Sequence, residues 1–84
     1  MIRCYTLVRV LPTRDEEVYE KVRSFKEVRE ISLTYGEYDL VLKVEVNSLE
    51  ELDGFIFNKL RVIDGIEATT TLIEARPSWM KGED

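Results

Sequence analysis

The sequence has no histidine among its 84 residues and only one cysteine. The absence of histidine excludes catalytic triads with an imidazole base and the common zinc sites. The single cysteine, Cys4, excludes an internal disulfide and multi-cysteine metal centres. Because Cys4 lies in an apolar stretch, we interpret it as a small buried hydrophobe rather than a reactive thiol. The four glycines are scattered, so the sequence lacks a glycine-rich phosphate loop and predicts no cofactor.

The sequence also lacks an excess of basic residues and long apolar runs. Its net charge of −5 disfavours direct contact with the phosphate backbone of nucleic acids. It has no apolar run of transmembrane length, and no apolar segment follows basic residues at its start. We therefore expect a cytoplasmic protein with no membrane partner and no direct nucleic-acid partner. The length leaves room for one domain, and so small a domain benefits from oligomerisation.

Four stretches of the chain have the alternating, β-branched composition that is typical of strands. They are Ile2–Val10, residues 28–35, Leu40–Val46 and residues 66–75. Because the connection between the second and third stretches is short, we expect these two strands to be antiparallel neighbours.

Two further stretches have the spacing of amphipathic helices. Before the first, the Thr13 hydroxyl is expected to accept a hydrogen bond from the N–H of Glu16 in a capping box, and the helix should span about three turns. A second capping box at Ser48 and Glu51 precedes the other helix, in which Gly54 is a candidate for close packing. The apolar stripes of the two helices are Val18, Val22 and Phe25 in the first, and Leu49, Leu52, Phe55, Ile56 and Leu60 in the second.

The order β-α-β-β-α-β predicts an α+β, ferredoxin-like fold with a four-stranded antiparallel sheet and two helices on one face. Residues 1–76 would form this domain, which we expect to serve ligand binding and oligomerisation. Residues 77–84 would form a polar tail with Trp79 and Met80 as its apolar exceptions. Two helices cover only one face, yet Tyr5, Leu7 and Val41 are predicted to lie on the other. We therefore expect another subunit to cover the open face.

The turn between the second and third strands is rich in groups that bind small molecules. Gly36 lets the backbone approach a ligand, Asp39 offers a carboxylate to an ammonium group, and Tyr35 and Tyr38 offer rings and hydroxyls. These residues suit a zwitterion such as an amino acid. The alternatives are a glycine required by positive φ, an Asp39 side chain bonded to its own turn, and tyrosines packed in an interface.

Other candidate groups are less informative. Thr69 and Thr71 share one face of the fourth strand, where they could border a pocket or simply reflect β-propensity. The acidic pairs near Asp15 and Glu50 lie at predicted helix starts, where capping and the helix dipole explain them. An arginine cradle for acyl-phosphate chemistry and a basic field for RNA are both lacking, so the sequence does not predict an enzyme.

Several spaced motifs together resemble the C-terminal effector-binding module of the Lrp/AsnC (feast/famine) transcription regulators. The motifs cover most of the chain, although no single one is specific. They are Gly36-Glu37-Tyr38-Asp39 followed by the strand Leu40-Val41-Leu42-Lys43-Val44, a helix rich in Leu and Phe, Asp64-Gly65-Ile66, and Thr69-Thr70-Thr71.

This resemblance implies a dimer formed through the sheet, ring assemblies such as octamers, and an amino acid bound between dimers. The implied ligand contacts are Tyr35, Gly36, Tyr38, Asp39, Thr69 and Thr71, with Asp53 and Ile56 as weaker candidates for the pocket wall. The regulators carry a helix-turn-helix domain that this sequence does not show, so it resembles the stand-alone form of the module. Full-length regulators of the family would be its partners.

The sequence thus supports an oligomeric amino-acid-binding module that modulates transcription indirectly, by sensing a ligand or by co-assembly with regulators. Two alternatives are a module that only oligomerises and binds no ligand, and an amino-acid sensor or carrier without a regulatory role. An enzyme would need a polar cavity beneath the open sheet face, and the apolar residues predicted there argue against one.

Overall fold

The computed structural model describes residues 1–80, in which two β-α-β units follow one another. The predicted α+β, ferredoxin-like architecture is confirmed. The four strands form one antiparallel sheet in the order β2-β3-β1-β4. The elements are β1 (Ile2–Val10), α1 (Asp15–Val22), β2 (Val28–Leu33), β3 (Leu40–Val46), α2 (Leu49–Gly54, continuing as a π-helix over Phe55–Leu60) and β4 (Ile66–Ile73).

The register of the two central strands places their apolar residues on one face. Val8 pairs with Leu40 and Cys4 with Val44, and all four side chains are fully buried. Residues of both helices pack against this face, so both helices lie on it, as the sequence predicted. The helix residues in this core are Val18, Val22, Leu52, Phe55, Ile56 and Leu60. Cys4 is a buried hydrophobe as expected, and burial raises the pKa of its thiol.

The start of α1 differs from the prediction. Thr13 adopts a positive φ of 71°, and the N–H of Arg14 donates to the Leu11 carbonyl at 3.1 Å. Residues 11–14 therefore form a β-turn with Pro12 in its second position, as in type II turns. Because Thr13 is used in this turn, it does not cap the helix, and the predicted capping box is wrong. Helix α1 has 8 residues, so the predicted three turns are too many.

The start of α2 matches the prediction more closely. The Ser48 hydroxyl accepts from the N–H of Glu51 at 3.0 Å, and the Glu51 carboxylate accepts from the N–H of Asn47 at 2.8 Å. This is a capping box whose second bond lies one residue earlier than usual. The suggested close packing at Gly54 does not occur within residues 1–80, because an added Cβ would meet nothing nearer than the Asn58 amide at 4.0 Å.

The second half of α2 is wider than an α-helix. The N–H of Arg61 donates to the Ile56 carbonyl at 2.9 Å, which is the i→i+5 bond of a π-helix. This winding places Phe55 and Leu60, five residues apart, on the same buried side. The ring of Phe55 meets that of Phe25 edge-on, with centroids 5.7 Å apart, and so joins α2 to the segment that follows α1.

One partly buried ion pair links the segment before β2 to α2. The side chain of Glu27 is 4% exposed, and its carboxylate accepts from Lys59 at 2.7 Å. The second carboxylate oxygen, Oε1, has no partner among the described residues. Burial alone would raise the pKa of Glu27, but the hydrogen bond from Lys59 and smaller favourable contributions outweigh it, so the pKa is lowered.

Strands β2 and β4 each end two residues earlier than predicted. Tyr35 consequently lies beyond the sheet and does not share a strand face with Ile31. After β4, the N–H of Met80 donates to the Pro77 carbonyl at 3.0 Å, and Trp79 is exposed. The remainder of the predicted tail, residues 81–84, lies outside the described residues. None of the helices in residues 1–80 has the length and apolar character needed to cross a membrane.

Candidate functional site

Hydrogen bonds between its two ends close the hairpin turn between β2 and β3. The N–H of Thr34 donates to the Asp39 carbonyl at 2.9 Å, and the Thr34 hydroxyl donates to the Tyr38 carbonyl at 2.8 Å. Between these bonds, Gly36 has a φ of +113°, which side chains with a Cβ rarely adopt. The glycine is therefore required by the backbone of the turn, in agreement with one of the two interpretations from the sequence.

The backbone N–H groups at the tip of this turn are unused. Within residues 1–80, those of Tyr35, Gly36, Glu37 and Tyr38 have no hydrogen-bond acceptor. All lie in a tight loop that is open to solvent. Successive free N–H groups in a turn form a concavity that attracts anions such as a carboxylate.

A cleft of about 490 Å³ lies beside the turn. Three of the residues predicted from the sequence, Tyr35, Gly36 and Asp39, line it together. Its other lining residues are Asp15, Leu33 and Thr34. These three residues were not predicted from the sequence as ligand contacts, and the position of Asp15 at a helix start was a sufficient explanation for its charge. The sequence contains no signal that brings Asp15 to a turn that lies 20 residues further along the chain.

The side chain of Asp39 connects the turn to the end of β1. Its Oδ2 accepts from the N–H of Val10 at 2.7 Å, and its own N–H donates to the Val8 carbonyl at 2.8 Å. The side-chain bond lies at the irregularity in β1 between Arg9 and Val10. Asp39 thus bonds a neighbouring strand and not its own turn. Its Oδ1 has no partner within the described part of the chain.

Tyr38 points away from the cleft and across the open face of the sheet. Its hydroxyl lies 3.0 Å from that of Thr70 on β4. The guanidinium of Arg9 stacks over its ring at 5.3 Å and also bonds the carboxylate and carbonyl of Glu37, each at 3.1 Å. These contacts fix the turn against the end of the sheet.

The other predicted ligand contacts do not line the cleft of the same chain. Thr71 lies on β4, and its hydroxyl is 3.2 Å from that of the fully buried Thr6. Thr69 also lies on β4, where it pairs with Val8 of β1. On α2, Asp53 is exposed and Ile56 belongs to the core. The role of these four residues in ligand binding stays a prediction.

The basic residues near the cleft are already paired with carboxylates. Arg14 donates two bonds of 2.8 Å to Glu17 and one of 3.0 Å to Asp64. These bonds lower the pKa of Glu17 and of Asp64. The carboxylate of Asp15, by contrast, makes no hydrogen bond or ion pair with any of residues 1–80. The described residues contain no group of three or more acidic or thiol side chains that could hold a metal ion.

The open face of the sheet carries an apolar strip flanked by ion pairs. Leu7 and Val41 are neighbours across β1 and β3, and Tyr5 and Leu72 are neighbours across β1 and β4. Leu72 is 53% exposed and Tyr5 36%. Beside the strip, Glu45 pairs with arginines at 3.3 and 3.4 Å. The helices leave this face uncovered.

Comparison with known proteins finds one family. Residues 3–77 match the Lrp/AsnC ligand binding domain. An uncharacterized HTH-type transcriptional regulator of Pyrococcus furiosus is 39% identical over 66 residues, which are 79% of this chain and 45% of that protein. The chain therefore spans less than half the length of this curated relative.

Solved structures agree with this match. The crystal structure of FFRP-DM1 is 39% identical, with a TM-score of 0.86 over 89% of this chain and 100% of that one. The complex of the regulator NMB0573 of Neisseria meningitidis with L-Met has a TM-score of 0.83 over 92% and 51% of the two chains. At 18% identity, that second likeness concerns the fold alone.

Proposed function

The chain belongs to the Lrp/AsnC ligand-binding domain family, and we propose that it is an oligomeric module that binds amino acids. In this proposal it modulates transcription indirectly, by sensing the ligand or by assembling with full-length regulators. Its homologues are transcriptional regulators rather than enzymes, and we propose no catalytic role and no direct contact with nucleic acid.

The observation that carries the proposal is that hydrogen-bond donors without a partner and a carboxylate oxygen without a partner lie at the same turn. Four free backbone N–H groups at residues 35–38 suit the carboxylate of an amino acid. The unpaired Oδ1 of Asp39 suits its ammonium group, and the cleft beside them has room for its side chain. A zwitterion is the class of small molecule that satisfies both kinds of group at once.

Assembly forms the second part of the proposal. The strip of Tyr5, Leu7, Val41 and Leu72 supports a dimer that packs sheet against sheet, because burying it removes apolar area from water. Tyr35 is fully exposed at the tip of the turn. We propose that a neighbouring dimer covers it in a ring such as an octamer and completes the pocket, where Thr69, Thr71, Asp53 and Ile56 remain candidate contacts.

A thermal-shift screen of the twenty amino acids tests ligand binding. A ligand that binds only the folded state stabilises it by about 2.7 kcal/mol at a hundredfold excess over its Kd. For a domain of this size, each kcal/mol raises the Tm by about 4–8 °C. We expect at least one amino acid to raise the Tm clearly. No shift with any of them would refute amino-acid binding.

An assembly-only module is the second candidate function. The bond between Asp39 and Val10 favours it, since it gives Asp39 a structural role without a ligand. Sedimentation at micromolar concentration tests the assembly that both candidates require. An oligomer that no amino acid stabilises would support the assembly-only module, whereas a monomer would contradict both the dimer and the ring.

A further inference from the structure

The wall of the cleft that this chain supplies is negatively charged. Of its six lining residues, Asp15 and Asp39 carry carboxylates and the others are uncharged. The two carboxylates come from different elements, the start of α1 and the turn. Each has at least one oxygen without a partner among residues 1–80.

None of the described residues that line the cleft is basic, and two arginines of β1 and of the segment before α1 are paired elsewhere. Arg9 is bonded to Glu37, and Arg14 is bonded to Glu17 and Asp64. Each guanidinium is thus balanced by an acidic partner that does not line the cleft. Within residues 1–80, a ligand in the cleft therefore meets two carboxylates and no basic lining residue.

We propose that the cleft selects amino acids whose side chain ends in a cation, of which lysine is the simplest probe. This inference rests on the proposed function and adds the class of ligand to it. The free N–H groups of residues 35–38 hold the ligand carboxylate, and Asp39 accepts from its α-ammonium group. Asp15 accepts from the cation at the end of the side chain. An acidic side chain would be repelled by the same carboxylate.

Titration calorimetry at low salt tests the charge requirement with three ligands. Norleucine has the carbon chain of lysine without its terminal ammonium, and glutamate reverses the charge. Solvent screens an ion pair in an open cleft, which weakens it, but a hydrogen bond between charged groups is stronger than one between neutral groups. Between these two effects, we expect lysine to bind about tenfold more tightly than norleucine. Glutamate should bind more weakly than norleucine, and added salt should reduce the preference for lysine.

Asp15→Asn tests whether Asp15 accepts from the cation of the ligand side chain, and Glu16→Gln is its matched control. Both variants remove one negative charge from the first turn of α1, but only Asp15 lines the cleft. Asp15→Asn should bring the affinities for lysine and norleucine together, while Glu16→Gln should preserve the preference. Circular dichroism should show α1 intact in both variants.

The outcomes separate this inference from the function on which it rests. If norleucine or another neutral amino acid binds as tightly as lysine, the charge selectivity is wrong and amino-acid binding stands. If lysine is preferred but Asp15→Asn keeps the preference, Asp15 is not the acceptor. If no amino acid binds, both proposals fail.

Discussion

Two substitutions separate the observed bond of Asp39 to β1 from its proposed role in ligand binding. Its Oδ2 accepts from the N–H of Val10 at 2.7 Å, and its Oδ1 is the proposed acceptor for the ligand ammonium. Asp39→Ala removes both. Asp39→Asn retains a neutral oxygen that can accept from Val10, but it removes the negative charge.

General hydrogen-bond energies, together with the partial burial of Asp39, set the expected magnitude of each effect. A hydrogen bond to a charged group contributes about 1.5–3 kcal/mol, and a neutral one about 0.5–1.5 kcal/mol. Because Asp39 is only half-buried, we expect Asp39→Ala to lower the free energy of unfolding by about 2 kcal/mol, at the lower part of that range. Asp39→Asn should lower it by less than about 1 kcal/mol. Both variants should lose most of the thermal response to amino acids.

Urea denaturation measures the stability of the two variants, and the thermal-shift screen measures their ligand response. Glu16→Gln is the control, since it also removes one negative charge but at a residue that does not line the cleft, and it should keep the response. Two results would refute the reasoning: equal stability losses for the alanine and asparagine variants, or an undiminished ligand response in Asp39→Asn.

Two further predictions concern stability. Lys59→Met leaves the buried carboxylate of Glu27 unpaired. Since the lysine itself is 42% exposed, we expect the free energy of unfolding to fall by about 2 kcal/mol at pH 7, which is less than the 3–5 kcal/mol lost when a fully buried pair is broken. Because the folded-state pKa of Glu27 is lowered, the stability contributed by this pair is present above the carboxyl's ordinary pKa and disappears as the pH falls through the folded value. Urea titrations at pH 7 and pH 3 should therefore show that the free energies of unfolding of wild type and variant differ less at pH 3. The same difference at both pH values would contradict the pairing. Gly54→Ala should stabilise the fold by about 0.5–1 kcal/mol, since the position is helical with φ −60° and has room for a Cβ; a loss of stability in the same titration would mean that another subunit packs closely there.

The fold could be predicted from the sequence because its strands are strongly patterned. Strand β3 alternates through all of Leu40–Val46, and its buried residues are the ones that the alternation selects. The Ser48 capping box is also local, and it forms. The Thr13 box does not form, because the turn at Pro12 places Thr13 in a left-handed conformation. A tertiary requirement of the β1–α1 connection overrides the local motif there.

The site was less predictable because its contacts join distant parts of the chain. The residues of the turn were visible as a cluster, and Tyr35, Gly36 and Asp39 do line one cleft. The approach of Asp15 and the bond from Val10 to Asp39 both depend on how β1 and α1 pack beside the turn. The spacing of these residues along the sequence does not predict either contact.

Backbone amide NMR on the deuterated protein tests the central claim most directly, because the proposed ligand carboxylate binds N–H groups. During titration with an amino acid that raises the Tm, the amide signals of Tyr35, Gly36, Glu37 and Tyr38 should shift and saturate together. Amides within the core of β3, such as that of Leu42, should stay in place. Saturable binding that leaves the four turn amides unchanged would contradict the account.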